Sequence, residues 1–177
     1  MKKINLGQKD LIHFVGIGGI GMSGLAQIMK NMGFRVQGSD KTNNKNTISC
    51  SKLGIKTFIG HSSNNIKKVT IVVKSTAIKN SNVEIKFAKK NKIPIYPRAE
   101  ILADAVSLKK NIIITGSHGK TTTTSLVAKI LSDQKLDPTV MTDVYNDIYL
   151  KRYVTALLKK QWGANLSKFN GVAMLGG

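Results

Sequence analysis

Cysteine occurs once in the 177 residues, at Cys50, which excludes an intramolecular disulfide and any zinc site built from several cysteines. Acidic side chains are also scarce: nine stand against 28 basic ones, for a formal net charge of +19. Only three of the basic residues are arginine (Arg35, Arg98 and Arg152), and the rest are lysines scattered singly and in pairs. A base-reading surface favours the planar, bidentate fork of arginine, and a single-strand platform interleaves aromatics, which make up only 6% here. The charge therefore reads as a solvated surface and argues against nucleic acid as a partner, although it would attract anionic small molecules. No apolar run approaches the roughly 18 residues that would cross a membrane, so no membrane association is expected. The basic start at Lys2 and Lys3 has no long apolar core behind it, as a secretory signal would. These absences point to a cytoplasmic protein.

What is present, 41% hydrophobic residues in an alternating pattern, is globular. Leu11–Gly16 is a short apolar run stopped by glycine, as in a buried parallel strand, and Ile20–Met32 has one apolar face closed by Gly33. Strands are predicted at Phe34–Gln37, Val69–Lys74, Ile93–Tyr96 and Ile112–Thr115. Helices are predicted at Thr47–Leu53, Val83–Lys90, Arg98–Val106 and Thr121–Asp133. The alternation implies an α/β fold, a Rossmann-like parallel sheet with helices on both faces, over a first domain of residues 1–108. The pattern resets at Lys109-Lys110-Asn111, and a second segment, 109–141, follows. From Thr142 the texture changes again. Tyr145, Tyr149, Tyr153 and Leu157 are spaced by four, so Asp143–Lys160 reads as an amphipathic helix with Asp143 as its N-cap. Residues 142–177 are thus expected to be a helical tail unrelated to what precedes them.

Two segments carry chemistry. Gly16-Ile17-Gly18-Gly19-Ile20-Gly21 lies between a predicted strand and a predicted helix. There glycines permit a tight turn, let backbone N–H groups approach a diphosphate, and set the helix N-terminus against the anion. Asp40 comes 40 − 21 = 19 residues after the last glycine, where a ribose-binding acid is expected. The pattern predicts a nucleotide-type ligand without settling which one. The second segment is Gly116-Ser117-His118-Gly119-Lys120-Thr121-Thr122, again between strand and helix. Backbone amides there would cradle phosphate, Lys120 would reach the terminal phosphates of ATP, and the Thr121 hydroxyl would bind Mg²⁺. Ile114 stands where the strict phosphate-loop pattern wants its first glycine. Of the histidines, His118 is embedded in this loop, His13 reads as a satisfied core residue, and His61 has no assigned role.

In order along the chain, Ile12–Gly24, Gly38–Asp40, Ser75–Ile78, Pro97–Glu100 and Gly116–Thr124 resemble the Mur ligases, whose ATP loop also lacks the early glycine. The resemblance runs from about Asp10 to Met141 and is nearest to the members that join L-alanine to UDP-N-acetylmuramate in peptidoglycan synthesis. It implies a UDP-substrate domain followed by the start of a P-loop ATPase domain. In that reading Gly16, Gly18, Gly19, Gly21, Met22 and Ser23 hold the UDP diphosphate. Asp40 lies near the uridine, Ser75, Thr76 and Ala77 line the same cleft, and Arg98 supports the muramyl substrate. Thr122 and Thr123 face that substrate with His118. The ATP loop is Gly116 to Thr122, with Lys120 and His118 catalytic and Thr121 on Mg²⁺. In such ligases ATP phosphorylates the muramyl carboxylate and the amine of L-alanine attacks the acyl phosphate.

Beyond Met141 the family would continue with an acidic Mg²⁺-binding segment, a histidine of the same site and a C-terminal domain. Residues 142–177 match none of this, and Lys151–Phe169 is faintly similar to segments of tailed-phage virion proteins. A truncated or chimeric reading frame is the expectation: the N-terminal portion of a ligase, binding the UDP-sugar and not competent for ligation alone. An NAD-binding Rossmann module would explain the first glycine motif and Asp40 but not Gly116–Thr124. A basic nucleic-acid or virion-associated protein would explain the charge and the tail but neither loop.

Overall fold

The computed structural model describes residues 6–7, 9–108, 111–115, 118–134, 139–144 and 171–176. They divide into two compact units, Met1–Ile101 and Leu102–Gly177, with the helix Arg98–Ser107 running through the division.

The first unit is built on a five-stranded parallel sheet. Its strands are β1 (Leu11–Val15), β2 (Arg35–Asp40), β3 (Lys56–Ile59), β4 (Ile71–Lys74) and β5 (Ile95–Pro97), in the spatial order β3-β2-β1-β4-β5. Helix α1 (Ile20–Asn31) links β1 to β2, α2 (Lys45–Lys52) links β2 to β3, and α3 (Val83–Lys90) links β4 to β5. A 3₁₀ turn at Ser63–Ile66 precedes β4. The chain moves outward one way from β1 to β2 and the other way from β4 to β5. Because parallel crossovers are right-handed, that reversal puts α1 and α2 on one face of the sheet and α3 on the other. The expected Rossmann-like sheet is thus present, and its switch point falls between β1 and β4, where α/β sheets open a ligand crevice at the carboxyl ends of the strands.

The core follows from strand alternation. Val15, Val72, Ile66, Val69, Ile85 and Ala88 form one buried cluster on the α3 side, while α1 buries Met22, Leu25, Ala26 and Met29. Gly33, at φ +90°, turns the chain out of α1 through a left-handed conformation that a side chain disfavours.

Boundaries differ from the sequence reading where side chains rather than apolar runs decide them. Helix α2 begins at Lys45 because Asn44 caps it: its side chain accepts from the backbone N–H groups of Asn46 and Thr47, and the Thr47 hydroxyl accepts from Asn44 N–H. Strand β2 continues through Gly38, Ser39 and Asp40. Strand β3 was not anticipated: it is an edge strand of four residues, half exposed and opened by a lysine. The 3₁₀ turn was not anticipated either.

The second unit holds α4 (Arg98–Ser107) from Leu102 onward, β6 (Asn111–Thr115), α5 (Lys120–Asp133), β7 (Thr139–Val144) and β8 (Gly171–Gly176). Strand β8 lies between β6 and β7 and pairs antiparallel with both, so β6 and β7 run in the same direction with α5 between them in sequence. This departs from the expected tail on two counts. Asp143 is the register partner of Val172 rather than a helix N-cap, because Thr139-Val140-Met141-Thr142 carries β-branched residues into a ladder. Gly171–Gly176, an apolar run, is a strand. The rest of the expected helix, residues 145–160, lies outside the described residues. Among the described residues no helix is long and apolar enough to cross a membrane.

Candidate functional site

The glycine loop leaves β1 at the switch point. Gly16 has φ +87°, a left-handed conformation, and both its N–H and that of Ile17 donate to the Ser39 carbonyl, at 2.8 and 3.0 Å. A side chain on Gly16 would meet Ser75 and Ile78 at 3.3 Å, so the loops after β1 and β4 touch. Gly18 is held by its whole peptide group. Its N–H donates to Asp40 Oδ2 at 2.8 Å, and its carbonyl accepts from Asn46 Nδ2 at 2.7 Å and Asn44 Nδ2 at 3.3 Å. The other carboxylate oxygen of Asp40 accepts from Thr42 N–H at 3.3 Å. Gly19 then occupies the N-cap of α1 with no side chain on the first N–H groups and no acid in the first turn. Those amides and the helix dipole present a positive end to the edge of the sheet. Gly21 lets the Arg98 guanidinium approach to 3.4 Å of where its Cβ would stand.

The structure therefore gathers Gly16, Gly18, Gly19, Gly21, Asp40, Ser75 and Arg98 at one edge. Thr76 and Ala77 are exposed beside them, with the Ala77 N–H on Ser75 Oγ. Met22 and Ser23 are buried in α1, and the Ser23 hydroxyl donates to the Ile20 carbonyl. Asn44 and Asn46 escaped the sequence reading. Three asparagines shortly after Asp40 (Asn43, Asn44 and Asn46) were the only signal, and the contact of the last two with Gly18 exists only once β2 and the glycine loop are folded together.

A second group of polar residues, also unforeseen, lies buried at the same end of β2. Glu84, in the first turn of α3, is fully buried and accepts from Ser39 Oγ at 2.6 Å, Asn65 Nδ2 at 2.7 Å, His61 Nδ1 at 3.1 Å and His13 Nε2 at 3.4 Å. Gln37 Nε2 donates both to the Asn65 carbonyl, at 2.7 Å, and to His13 Nδ1, at 3.1 Å. This assigns the His13 proton to Nε2, facing Glu84. Burial pushes the Glu84 carboxyl up, but hydrogen bonds from His13, Ser39 and Asn65 outweigh it and hold the pKa at about 2. His13 is thus a satisfied core residue, as its place inside a strand suggested.

In the second unit, Gly119 takes φ +73° and Lys120 opens α5, whose first turn carries no acid. The Thr123 N–H closes the first turn on the Gly119 carbonyl at 2.9 Å, and the Thr124 hydroxyl donates to the Lys120 carbonyl. His118, Thr122 and Thr123 are exposed. Gly116, Ser117 and the Thr121 side chain lie outside the described residues. No group of three or more His, Cys, Asp or Glu residues able to hold a metal occurs among the described residues.

Residues 11–110 match the model of the Mur ligase family, catalytic domain, and residues 65–177 match that of the bacteriophage T4 neck protein gp13. The UDP-N-acetylmuramate–L-alanine ligase of Pelagibacter ubique is 62% identical over 139 residues, covering 78% of this chain and 30% of the relative. That of Rickettsia typhi is 54% identical over 130 residues, covering 73% of this chain and 26% of the relative. The crystal structure of a UDP-N-acetylmuramate–alanine ligase, MurC, from Thermotoga maritima superposes with a TM-score of 0.63 at 39% identity, over 70% of this chain and 29% of that one. The chain thus spans under a third of the length of these relatives. Of residues 65–110, which both family models match, 65–101 carry β4 and β5 of the parallel sheet with α3 between them, so in structure that part belongs with the glycine loop. The chain belongs to the Mur ligase family.

Proposed function

We propose that the first unit binds UDP-N-acetylmuramate and that the chain is part of an ATP-dependent ligase joining L-alanine to that sugar nucleotide in cytoplasmic peptidoglycan synthesis. The observations that carry the nucleotide assignment are the family match over residues 11–110 and the uncapped first-turn amides of α1 beside the glycine loop. Asp40 shapes that edge: its carboxylate accepts from the Gly18 and Thr42 N–H groups and keeps lone pairs for a ribose hydroxyl, so it fixes the loop without choosing between a UDP-sugar and NAD. The first-turn amides of α1, with Gly19, Gly21 and Arg98, would hold the diphosphate. Ser75, Thr76 and Ala77 would line the same edge.

The loop opening α5 fits a triphosphate: a left-handed glycine, a lysine at the helix start and no acid in the first turn. Gly116 to Thr122 would hold ATP through Lys120, with Thr121 on Mg²⁺, and His118, Thr122 and Thr123 would serve the muramyl substrate. ATP would supply the phosphoryl group that activates the carboxylate, and Lys120 would stabilise charge on it. Because the chain spans under a third of its relatives, the 177 residues are expected to bind the UDP-sugar without completing ligation.

Calorimetric titration of the chain with UDP-N-acetylmuramate, with NAD⁺ as control, tests the reading. Binding of the sugar nucleotide alone supports it, and binding of NAD⁺ instead overturns it. The match of residues 65–177 to the phage neck protein favours a second reading for the part beyond residue 111, as a virion component. Its test is copurification of the chain with phage particles.

A further inference from the structure

Backbone amides and a helix N-terminus recognise a diphosphate whatever it carries, so the nucleoside must be read elsewhere. The buried Glu84 cluster, which the phosphate reading leaves unused, has one open valence suited to that task. His61 Nδ1 lies 3.0 Å from Ser39 Oγ and 3.1 Å from Glu84 Oε2. Ser39 spends its own proton on Glu84, at 2.6 Å, so Nδ1 faces two acceptors and must carry the hydrogen. The other ring nitrogen, Nε2, is buried and has no hydrogen-bond partner among the described residues, although the side chain retains 8% exposure. Buried polar atoms are nearly always paired, and a lone pair left open points to a donor supplied from outside the chain.

His61 stands where such a donor would come from. It directly follows Gly60, whose N–H donates to the Asp40 carbonyl at 2.7 Å, and Asp40 in turn holds Gly18 of the glycine loop. The ring thus belongs to the same carboxyl edge as the loop, on the β2–β3 side of the switch point. We propose that Glu84 is a positioning residue that fixes His61 as its Nδ1–H tautomer, so that Nε2 is presented as an acceptor to a hydroxyl or N–H on the nucleoside end of the ligand. This rests on the nucleotide reading of the glycine loop and adds to it a directional contact that a diphosphate cannot make. The carboxylate matters because only an acceptor-only group forces the proton onto Nδ1. A glutamine could turn either its oxygen or its amide nitrogen toward the ring.

Long-range ¹H–¹⁵N spectra of the histidine rings in the full chain test this, with UDP and inorganic pyrophosphate as probes. The ligand-free chain is expected to show His61 protonated at Nδ1 and bare at Nε2. UDP should shift the Nε2 resonance together with the Gly16–Gly21 amides, and pyrophosphate should shift the amides alone. Glu84→Gln should mix the two tautomers. His61→Phe, which keeps a ring of similar size, should weaken UDP by about threefold to tenfold, the worth of one hydrogen bond, and leave pyrophosphate unchanged. If Glu84→Gln does not fold, the wild-type spectrum and His61→Phe decide. A proton on Nε2 in the ligand-free chain overturns the inference, as does UDP moving the loop amides while Nε2 stays still. UDP moving neither overturns the nucleotide reading itself and the acceptor role with it.

Discussion

A methyl group on Gly18 would stand 2.5 Å from Asn44 Nδ2 and 2.9 Å from Asp40 Oδ2, so a side chain there displaces the groups that pin the loop. The obstructing atoms are ends of polar side chains and can move without opening the core. Gly18→Ala is therefore expected to keep the melting temperature within a few degrees and to weaken UDP-N-acetylmuramate about tenfold or more, read by titration and a thermal melt of the same sample. Glu84 sets a different dependence. Its pKa is about 2, against an ordinary value of 4.5, so the unfolded chain binds more protons between those values. The stability contributed by Glu84 is complete above about 4.5 and is lost as the pH falls toward 2. Urea midpoints measured across that window should fall with pH, and Glu84→Gln should flatten the slope while lowering the midpoint at neutral pH.

Among the elements, β2 and α2 bear most directly on the site. Gly38 lies inside β2 where a Cβ would come within 2.6 Å of Ile17 Cδ1 and 2.8 Å of the Phe14 carbonyl, and Ile17 is fully buried. Neither neighbour can give way as a surface side chain does. Gly38→Ala is expected to cost about 1–3 kcal/mol in chemical denaturation. Asn44 both caps α2 and reaches the Gly18 carbonyl. Asn44→Ala should cost about 1 kcal/mol of stability from the lost cap and also weaken nucleotide binding, whereas Thr47→Ala, which removes the reciprocal half of the capping box and the hydroxyl's bonds to Asn43 and the Asn44 carbonyl, should affect stability alone. Other elements were legible from pattern: β1, α1, α3, α4, β6 and α5 lie within a residue or two of their predicted places, and in β1, α1, α3 and α4 the apolar periodicity is that of the burial they undergo. Strand β3 was not legible. A half-exposed edge strand has little apolar pattern to show, and its pairing with β2 is a long-range choice.

For the molecule as a whole, the residues that build the glycine-loop edge all fall within the first compact unit, and those of the lysine loop within the second. A chain ending at residue 108 is accordingly expected to bind UDP as the full chain does, by calorimetry, while losing any ATP binding. Lys120→Ala in the full chain should remove ATP binding and leave the UDP titration unchanged. Either variant weakening UDP would show that the lysine loop contributes to the diphosphate site.

The sequence by itself determined the alternation of strand and helix, the two glycine-bearing turns, and through five ordered motifs the family. Each of these is local: a run of apolar residues, a turn only glycine can make, a lysine at a helix start. The tertiary structure alone decided that Asp40 pins the Gly18 N–H, and that Asn44 and Asn46 clamp the same peptide. It also decided that Glu84, Ser39, His13 and His61, far apart in the chain, share one buried hydrogen-bond network, and that Gly171–Gly176 enters a sheet between β6 and β7. Those contacts depend on strand order and register. Nothing in the spacing of residues encodes them, because pairing is chosen by the burial of whole faces and by the desolvation of charges that meet only after the chain has folded.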